Sequence, residues 1–343
     1  MNLYPLLRPL MFALDAERAH RATIAALKFL PLHSAHLPPS VKTKLAGLDF
    51  PSPVGLAAGF DKDAEVPAEM LTLGFGFVEV GTLTPLPQPG NPKPRLFRLA
   101  PDRAVINRLG FNNKGQAEAF MRLTRCSHAG GPIGVNVGAN KDSADRIADY
   151  VSGVKAMSGV ADYLTVNISS PNTPGLRTLQ DEGALDDLLS AVEGARAPKG
   201  PPVFLKVAPD LEEGDPERIV RAAIDRKIDA IIVSNTTLSR PPLKSRLAGE
   251  QGGLSGAPLK PLALDALRGF RGASGGQIPL IGCGGIASAD DAWERIRAGA
   301  SLVQLYTAMV YEGPHIARRI AAGLARKLGQ SGFATIAEAV GSE

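Results

Sequence analysis

The sequence predicts a (β/α)8 TIM barrel with a small N-terminal two-helix extension. Three observations predict it. From Val54 onward, eight short apolar, β-branched or glycine-rich runs each precede a helix-like stretch. Many of these runs are continuously apolar, as parallel strands covered on both faces are. Polar residues gather at the carboxyl end of each run, the end at which such a barrel carries its site. An open doubly wound sheet would share the alternation, but eight units in one chain fit the closed barrel better.

Taken in order, the chain begins with two helical patterns. The first carries Leu3, Leu6, Leu7, Leu10, Met11 and Leu14. The second starts behind the N-cap candidate Asp15, runs to about Leu30, and turns Ala19, Ala22, Ala26 and Leu27 to one side. Arg8, Arg18, Arg21, Lys28, Lys42 and Lys44 stand against only Asp15 and Glu17 in the first 44 residues. An apolar stripe beside basic residues suits a membrane interface, and it also suits a helical pair packed on the main domain. Pro31–Pro39 reads as a linker, so residues 1–40 form the extension and 41–343 the barrel domain. The strand runs are Val54–Ala58, Phe77–Thr82, Ile133–Val137, Tyr163–Ile168, Val203–Val207, Ala230–Ser234, Ile278–Cys283 and Leu302–Tyr306. Helices are expected over Ala64–Leu73, Lys114–Thr124, Asp142–Met157, Ala184–Ala195, Pro216–Arg226, Pro261–Phe270, Ala289–Ala298 and Arg318–Leu328. The interval Leu83–Phe111, rich in Pro and Arg, is long enough for an extra hairpin.

Composition narrows the function. A chain of 343 residues with 44% hydrophobic and 21% charged residues reads as a soluble globular protein. A net charge of +4 is small for a dedicated nucleic-acid binder. Cys126 and Cys283 form no CxxC, disulfide or zinc pattern, and Cys283 in an apolar strand reads as core packing. No apolar run is long enough to span a membrane, and nothing resembles a signal peptide.

The candidate site is the set of strand tips. In order they present Ala58-Gly59-Phe60-Asp61-Lys62, Gly81-Thr82, Asn136, Asn167 with Ser169 and Ser170, Lys206, Ser234-Asn235-Thr236, Gly284-Gly285 and Tyr306-Thr307. Pro171 stops the fourth strand, and Asn172–Thr178 follows as a polar loop punctuated by Pro174 and Gly175. The segment Asn107-Arg108-Leu109-Gly110-Phe111-Asn112 is placed to fold over the mouth. The set has no Ser-His-Asp constellation, and His20, His33, His36, His128 and His315 lie away from the tips. Paired carboxylates are missing, which argues against glycoside hydrolysis. Carboxamides remain, whose acceptor and donors match the edge of an imide or pyrimidine ring. Lys206 suits either a salt bridge or the negative charge of a reduced flavin. The glycines after the seventh strand, with Gly256, suit a phosphate cradle.

These motifs carry a resemblance. Gly55-Leu-Ala-Ala-Gly-Phe-Asp-Lys62, Pro85-Leu-Pro-Gln-Pro-Gly-Asn91, Asn107-Arg-Leu-Gly-Phe-Asn-Asn113, Asn167-Ile-Ser-Ser-Pro-Asn-Thr-Pro-Gly175 and Gly282-Cys-Gly-Gly-Ile286 are the most specific. The chain resembles, over nearly its whole length, the dihydroorotate dehydrogenases of the membrane-associated, quinone-dependent class. The resemblance implies oxidation of dihydroorotate to orotate in pyrimidine synthesis, with one FMN per chain and a membrane quinone as acceptor. Ser170 would be the base, at a position where cytosolic relatives place cysteine. Lys62, Asn107, Arg108, Leu109, Gly110, Phe111, Asn167, Asn172, Asn235 and Thr236 would surround the substrate. Ala57, Ala58, Gly59, Phe60, Asp61, Lys62, Thr82, Asn136, Asn167, Lys206, Ser234, Gly256, Gly285, Tyr306 and Thr307 would hold the flavin. His20, Arg98 and Tyr306 match positions near the quinone head. Ser234 and Thr307-Ala308 are mild departures from the usual threonine and Ser-Gly. Residues 1–30 would lie in the cytoplasmic face of a bacterial inner membrane without spanning it, and no nucleic acid is expected as a partner.

Overall fold

The computed structural model describes residues 4–29, 31–126, 130–173 and 175–343. Leu3, Leu30, His128 and Pro174, which figure in the sequence reading, lie outside the described residues. The barrel is closed and has eight parallel strands. In chain order, β1 (Thr43–Leu45) and β2 (Leu48–Phe50) form a short hairpin, and β3 (Val54–Leu56) opens the barrel. β4 (Phe77–Leu83), β7 (Ile133–Val137), β8 (Tyr163–Asn167), β9 (Val203–Val207), β10 (Ala230–Val233), β12 (Leu280–Cys283) and β13 (Ala300–Leu305) continue it. β13 closes on β3 with Val303 opposite Val54. All eight expected strands are present, within three residues at either end. Every residue of β3, β4, β7, β8, β9, β10 and β12 is buried, which is why they read as unbroken apolar runs.

Helices cover the outside at Pro67–Thr72, Gln116–Leu123, Arg146–Met157, Glu182–Ala195, Asp215–Asp225, Lys260–Ser274, Ala289–Arg297 and Ile316–Ser331. The β1–β2 hairpin was not anticipated. It sends Leu45 and Phe50 into the inner barrel core, where Phe50 meets Phe77 edge-on at 5.2 Å. Phe77 and Tyr163 begin their strands, so this hairpin plugs the amino-terminal mouth and leaves the opposite mouth free.

The expected hairpin after the second barrel strand is β5 (Leu96–Leu99) with β6 (Ala104–Asn107). A third antiparallel strand, β11 (Gly253–Gly256), joins it, pairing Gly253 with Asn107. This sheet brings Asn107 and Gly256 to the open mouth. The N-terminal pair is α1 (Tyr4–Ala13) and α2 (Ala16–Leu27). Asp15 caps α2 as expected, accepting from the N–H groups of Glu17 and Arg18 at 3.0 Å. Ile24 and Leu27 enter the main core, whereas Leu6, Leu7, Leu10 and Phe29 are exposed. Among the described residues, no helix is long and apolar enough to cross a membrane.

Candidate active site

Above the carboxyl ends of the strands lies a cavity of about 580 Å³. Its inner wall is polar and carries Thr82, Asn167, Ser170, Asn172, Lys206 and Asn235. Its outer wall is apolar and is made by α1 and α2, with Leu7, Leu10, Met11, Ala19 and Thr23.

The inner wall is held by carboxamides. Asn167 donates to Thr82 Oγ1 at 3.0 Å and to Asn136 Oδ1 at 3.1 Å. Its own Oδ1 accepts from Ser169 Oγ at 2.7 Å, and Ser169 Oγ accepts from Asn235 at 2.8 Å. Ser170 is buried, and its Oγ accepts the Asn172 N–H at 3.2 Å. Asn172 donates through its side chain to Asn107 Oδ1 at 3.2 Å, tying the loop after β8 to the β6 tip. Lys62 donates to the Gly59 carbonyl at 2.7 Å. Burial pushes its pKa down to about 8, with Glu17 and Asp63 opposing that shift.

Lys206 differs from all of these. It is 4% exposed, lines the cavity, and among the described residues finds no carboxylate or other acceptor. A buried ammonium without a partner is costly, so the position is built for an anionic or acceptor ligand. At the far side of the mouth, the N–H groups of Gly284 and Gly285 donate to no described group of the chain. Gly285 has φ +71°, and a Cβ there would lie 2.4 Å from Lys260 Cα, so only glycine fits. The N–H groups of Gly284 and Gly285 and the Lys206 ammonium thus leave donors for an anionic ligand on one cavity.

The outer end is aromatic. His20 Nδ1 lies 3.3 Å from Tyr306 Oη, and His20 packs edge-on against Phe60 at 5.2 Å. Burial, followed by the nearby Lys62 charge, holds the His20 pKa well below its ordinary value, so the ring is neutral at pH 7. The reading that placed every histidine away from the strand tips fails for His20, which α2 brings to the tip of β13. Arg98 lines the cavity, but its guanidinium is occupied: it donates to the Met11 and Phe12 carbonyls at 2.9 and 3.3 Å and stacks on Phe12. It therefore caps the end of α1.

A family model described as dihydroorotate dehydrogenase matches residues 40–328. The chain belongs to the dihydroorotate dehydrogenase family. Relatives named dihydroorotate dehydrogenase (quinone) place it in the quinone-dependent class. The protein from Erythrobacter litoralis is 66% identical, covering 99% of this chain and all of its own length. The one from Novosphingobium aromaticivorans is 63% identical over both full lengths. The solved structure of DHODH from Eimeria tenella in complex with ferulenol is 42% identical, with a TM-score of 0.91 over 95% of each chain.

Most of the site residues expected from the family motifs line this cavity; Asp61, Arg108 and Asn136 do not. Asp61 is turned away from it: its carboxylate accepts the Glu65 and Val66 N–H groups at 2.7 and 2.8 Å. Burial raises its pKa to about 6, and the role is that of a local cap. Arg108 also points away, donating to Glu250 at 2.7 Å and stacking on Phe97 at 4.5 Å. Asn136 stands one hydrogen bond behind the wall, its Oδ1 accepting from Thr82 Oγ1 at 2.5 Å. Cys283, read as core packing, is both in the inner core and on the cavity wall. The sequence reading gave no role to the buried Glu79, which accepts from Asn136 and Gln304 at 2.8 Å and from Thr165 at 3.0 Å. An acid inside the apolar run Phe77–Thr82 was the signal for it. Tyr150, donating to the Asn167 carbonyl at 2.6 Å, gave no such signal.

Proposed function

We propose that this chain oxidises (S)-dihydroorotate to orotate with a membrane quinone as acceptor, in de novo pyrimidine synthesis. Ser170 removes the C5 proton while the hydride leaves C6. Flavin mononucleotide, when bound, would supply the hydride acceptor at N5 and a carrier for the electrons on to quinone. Lys206 and Asn167 would hold its ring, and Gly256, Gly285 and Thr307 its phosphate end. Lys62 meets the substrate carboxylate, and the Asn107, Asn172 and Asn235 carboxamides, with Thr236, read the ring edge. Ser170 has no histidine or carboxylate bonded to it among the described residues. Its proton therefore leaves to an ordered water, and the Asn172 N–H, bonded to the Ser170 Oγ at 3.2 Å, orients the hydroxyl for that transfer.

The exposed leucines of α1 and Phe29 rest in the cytoplasmic face of the inner membrane, so quinone enters between the helices and reaches His20 and Tyr306. Residues 1–40 are thus the acceptor-access extension and 41–343 the catalytic barrel. One observation carries the reading: the unpartnered Lys206 opens on the same cavity as Ser170, and that cavity runs outward to the apolar helices.

The test is the visible spectrum of purified protein, taken anaerobically before and after dihydroorotate. A yellow protein that bleaches is expected. Ser170→Ala should keep the colour and slow bleaching by about 10²-fold or more. A colourless protein that cannot be reconstituted with FMN, or bleaching of Ser170→Ala at the wild-type rate, would refute the assignment.

A further inference from the structure

The two ends of the cavity are joined outside it by a half-buried polar path centred on the buried Arg95. Glu17 lies on α2, one turn before His20, and does not line the large cavity. Its carboxylate takes two bonds from Arg95, at 3.1 Å from Nε and 2.7 Å from Nη2. Arg95 is 6% exposed, and its Nη1 donates to the Pro89 and Asn91 carbonyls at 2.6 and 2.8 Å. The Asn91 side chain then donates to the Arg108 carbonyl at 3.0 Å and to the Asn172 carbonyl at 3.2 Å. The Asn172 side chain in turn bonds Asn107. The fit leaves no slack: at Gly110, with φ +70°, a Cβ would lie 2.8 Å from the Asn91 carboxamide carbon. A second chamber of about 30 Å³, lined by Glu17, Lys62, Asp63 and Asn112, lies beside the path, with Asn112 Oδ1 buried and unpartnered. It has room for one water between Glu17 and the substrate-side lysine.

Resting on the dihydroorotate end proposed above, we infer that Glu17, Arg95 and Asn91 are positioning residues for the substrate. Through them α2 holds Asn172 and Asn107 in place, and the N-terminal helices set the affinity of the substrate end as well as admitting the acceptor. Arg95, buried with all three guanidinium nitrogens paired, couples the two ends, so a shift of α2 at the quinone end reaches the carboxamides through connected bonds.

The test uses the full-length holoenzyme with Glu17→Gln, Asn91→Ala and the double variant. Stopped-flow bleaching by dihydroorotate reads the reductive half, and reoxidation by a short-chain ubiquinone reads the other. Each single variant should weaken dihydroorotate binding roughly tenfold, within the usual range for coupled sites. The double variant should be no worse than the weaker single variant, because one path is being cut twice. Reoxidation should stay within about twofold of wild type, since none of the three residues lines the large cavity through which the acceptor would reach His20 and Tyr306. Glu17→Gln keeps the side-chain shape and leaves Arg95 its two carbonyl acceptors. Wild-type binding in either single variant, additive losses in the double variant, or equal losses in both half-reactions would each overturn the inference. A wild-type flavin that fails to bleach would instead overturn the functional reading, and this inference with it.

Discussion

Two buried charges, one on the barrel floor and one at its tips, are treated in opposite ways. Glu79, in the middle of β4, is fully buried and accepts from Asn136, Gln304, Thr165 and, at 3.3 Å, Tyr163. Those donors account for the lone pairs a carboxylate offers. Lys206, on β9 beneath the open mouth, is nearly as buried and has three donors with no acceptor among the described residues. Asn136 joins the two levels, its Nδ2 donating to Glu79 below and its Oδ1 accepting from Thr82 and Asn167 above. A charge whose partners are all supplied by the chain belongs to the fold. One left open in an otherwise satisfied interior belongs to a ligand.

The floor can be broken most severely. Glu79→Ala strands several buried donors at once and should cost about 3–5 kcal/mol of stability. Chemical denaturation of the flavin-free protein measures it, and a loss under about 1 kcal/mol would mean those donors find other acceptors. Lys206→Met should do the reverse. Removing an unpaired buried charge should leave the flavin-free protein as stable as before or more so. Flavin affinity should fall by roughly 10- to 10²-fold, the scale on which losing a charged hydrogen bond is felt. Flavin fluorescence on dilution reads the second effect. If Lys206→Met unfolds the flavin-free protein as Glu79→Ala does, the contrast between floor and tips is wrong.

The same contrast explains what could be read in the sequence. Strand positions were legible because each barrel strand is buried on both faces and spells an apolar run; β7 and β9 match their runs residue for residue. The β1–β2 hairpin was not, since strands of three residues carry no periodicity. β11 entered only through Gly256 of the phosphate cradle, because its partner β6 lies far away in sequence. At the site, residue types on the tips were legible and their directions were not. Asp61 and Lys62 are neighbours, yet one caps the backbone and the other faces the cavity. Likewise Asn107 faces the cavity and Arg108 packs on Phe97. Successive side chains at a strand end diverge, and motif matching carries both over together.

Lys62 stands between the two cases, being half-buried and bonded only to a carbonyl. Its charge is therefore sensitive to pH. Burial lowers its pKa to about 8; Glu17, Asp63 and Asp61 resist the shift, and Arg95 adds to it. Below that value the side chain is an ammonium able to meet a carboxylate, and above it a neutral amine. Because kcat/KM reports the free enzyme, it should fall by up to roughly tenfold between pH 7 and 9 as the charge is lost. Glu17→Gln removes the largest opposing influence, so the falling limb should move to lower pH. Lys62→Arg should bind less well, since a planar guanidinium does not fit a site made for a point charge. Its profile should nevertheless stay flat across this range, because arginine keeps its proton. A wild-type profile without the alkaline fall, or a Lys62→Arg profile that retains it, would place the titrating group elsewhere and leave Lys62 on the structural side of the contrast.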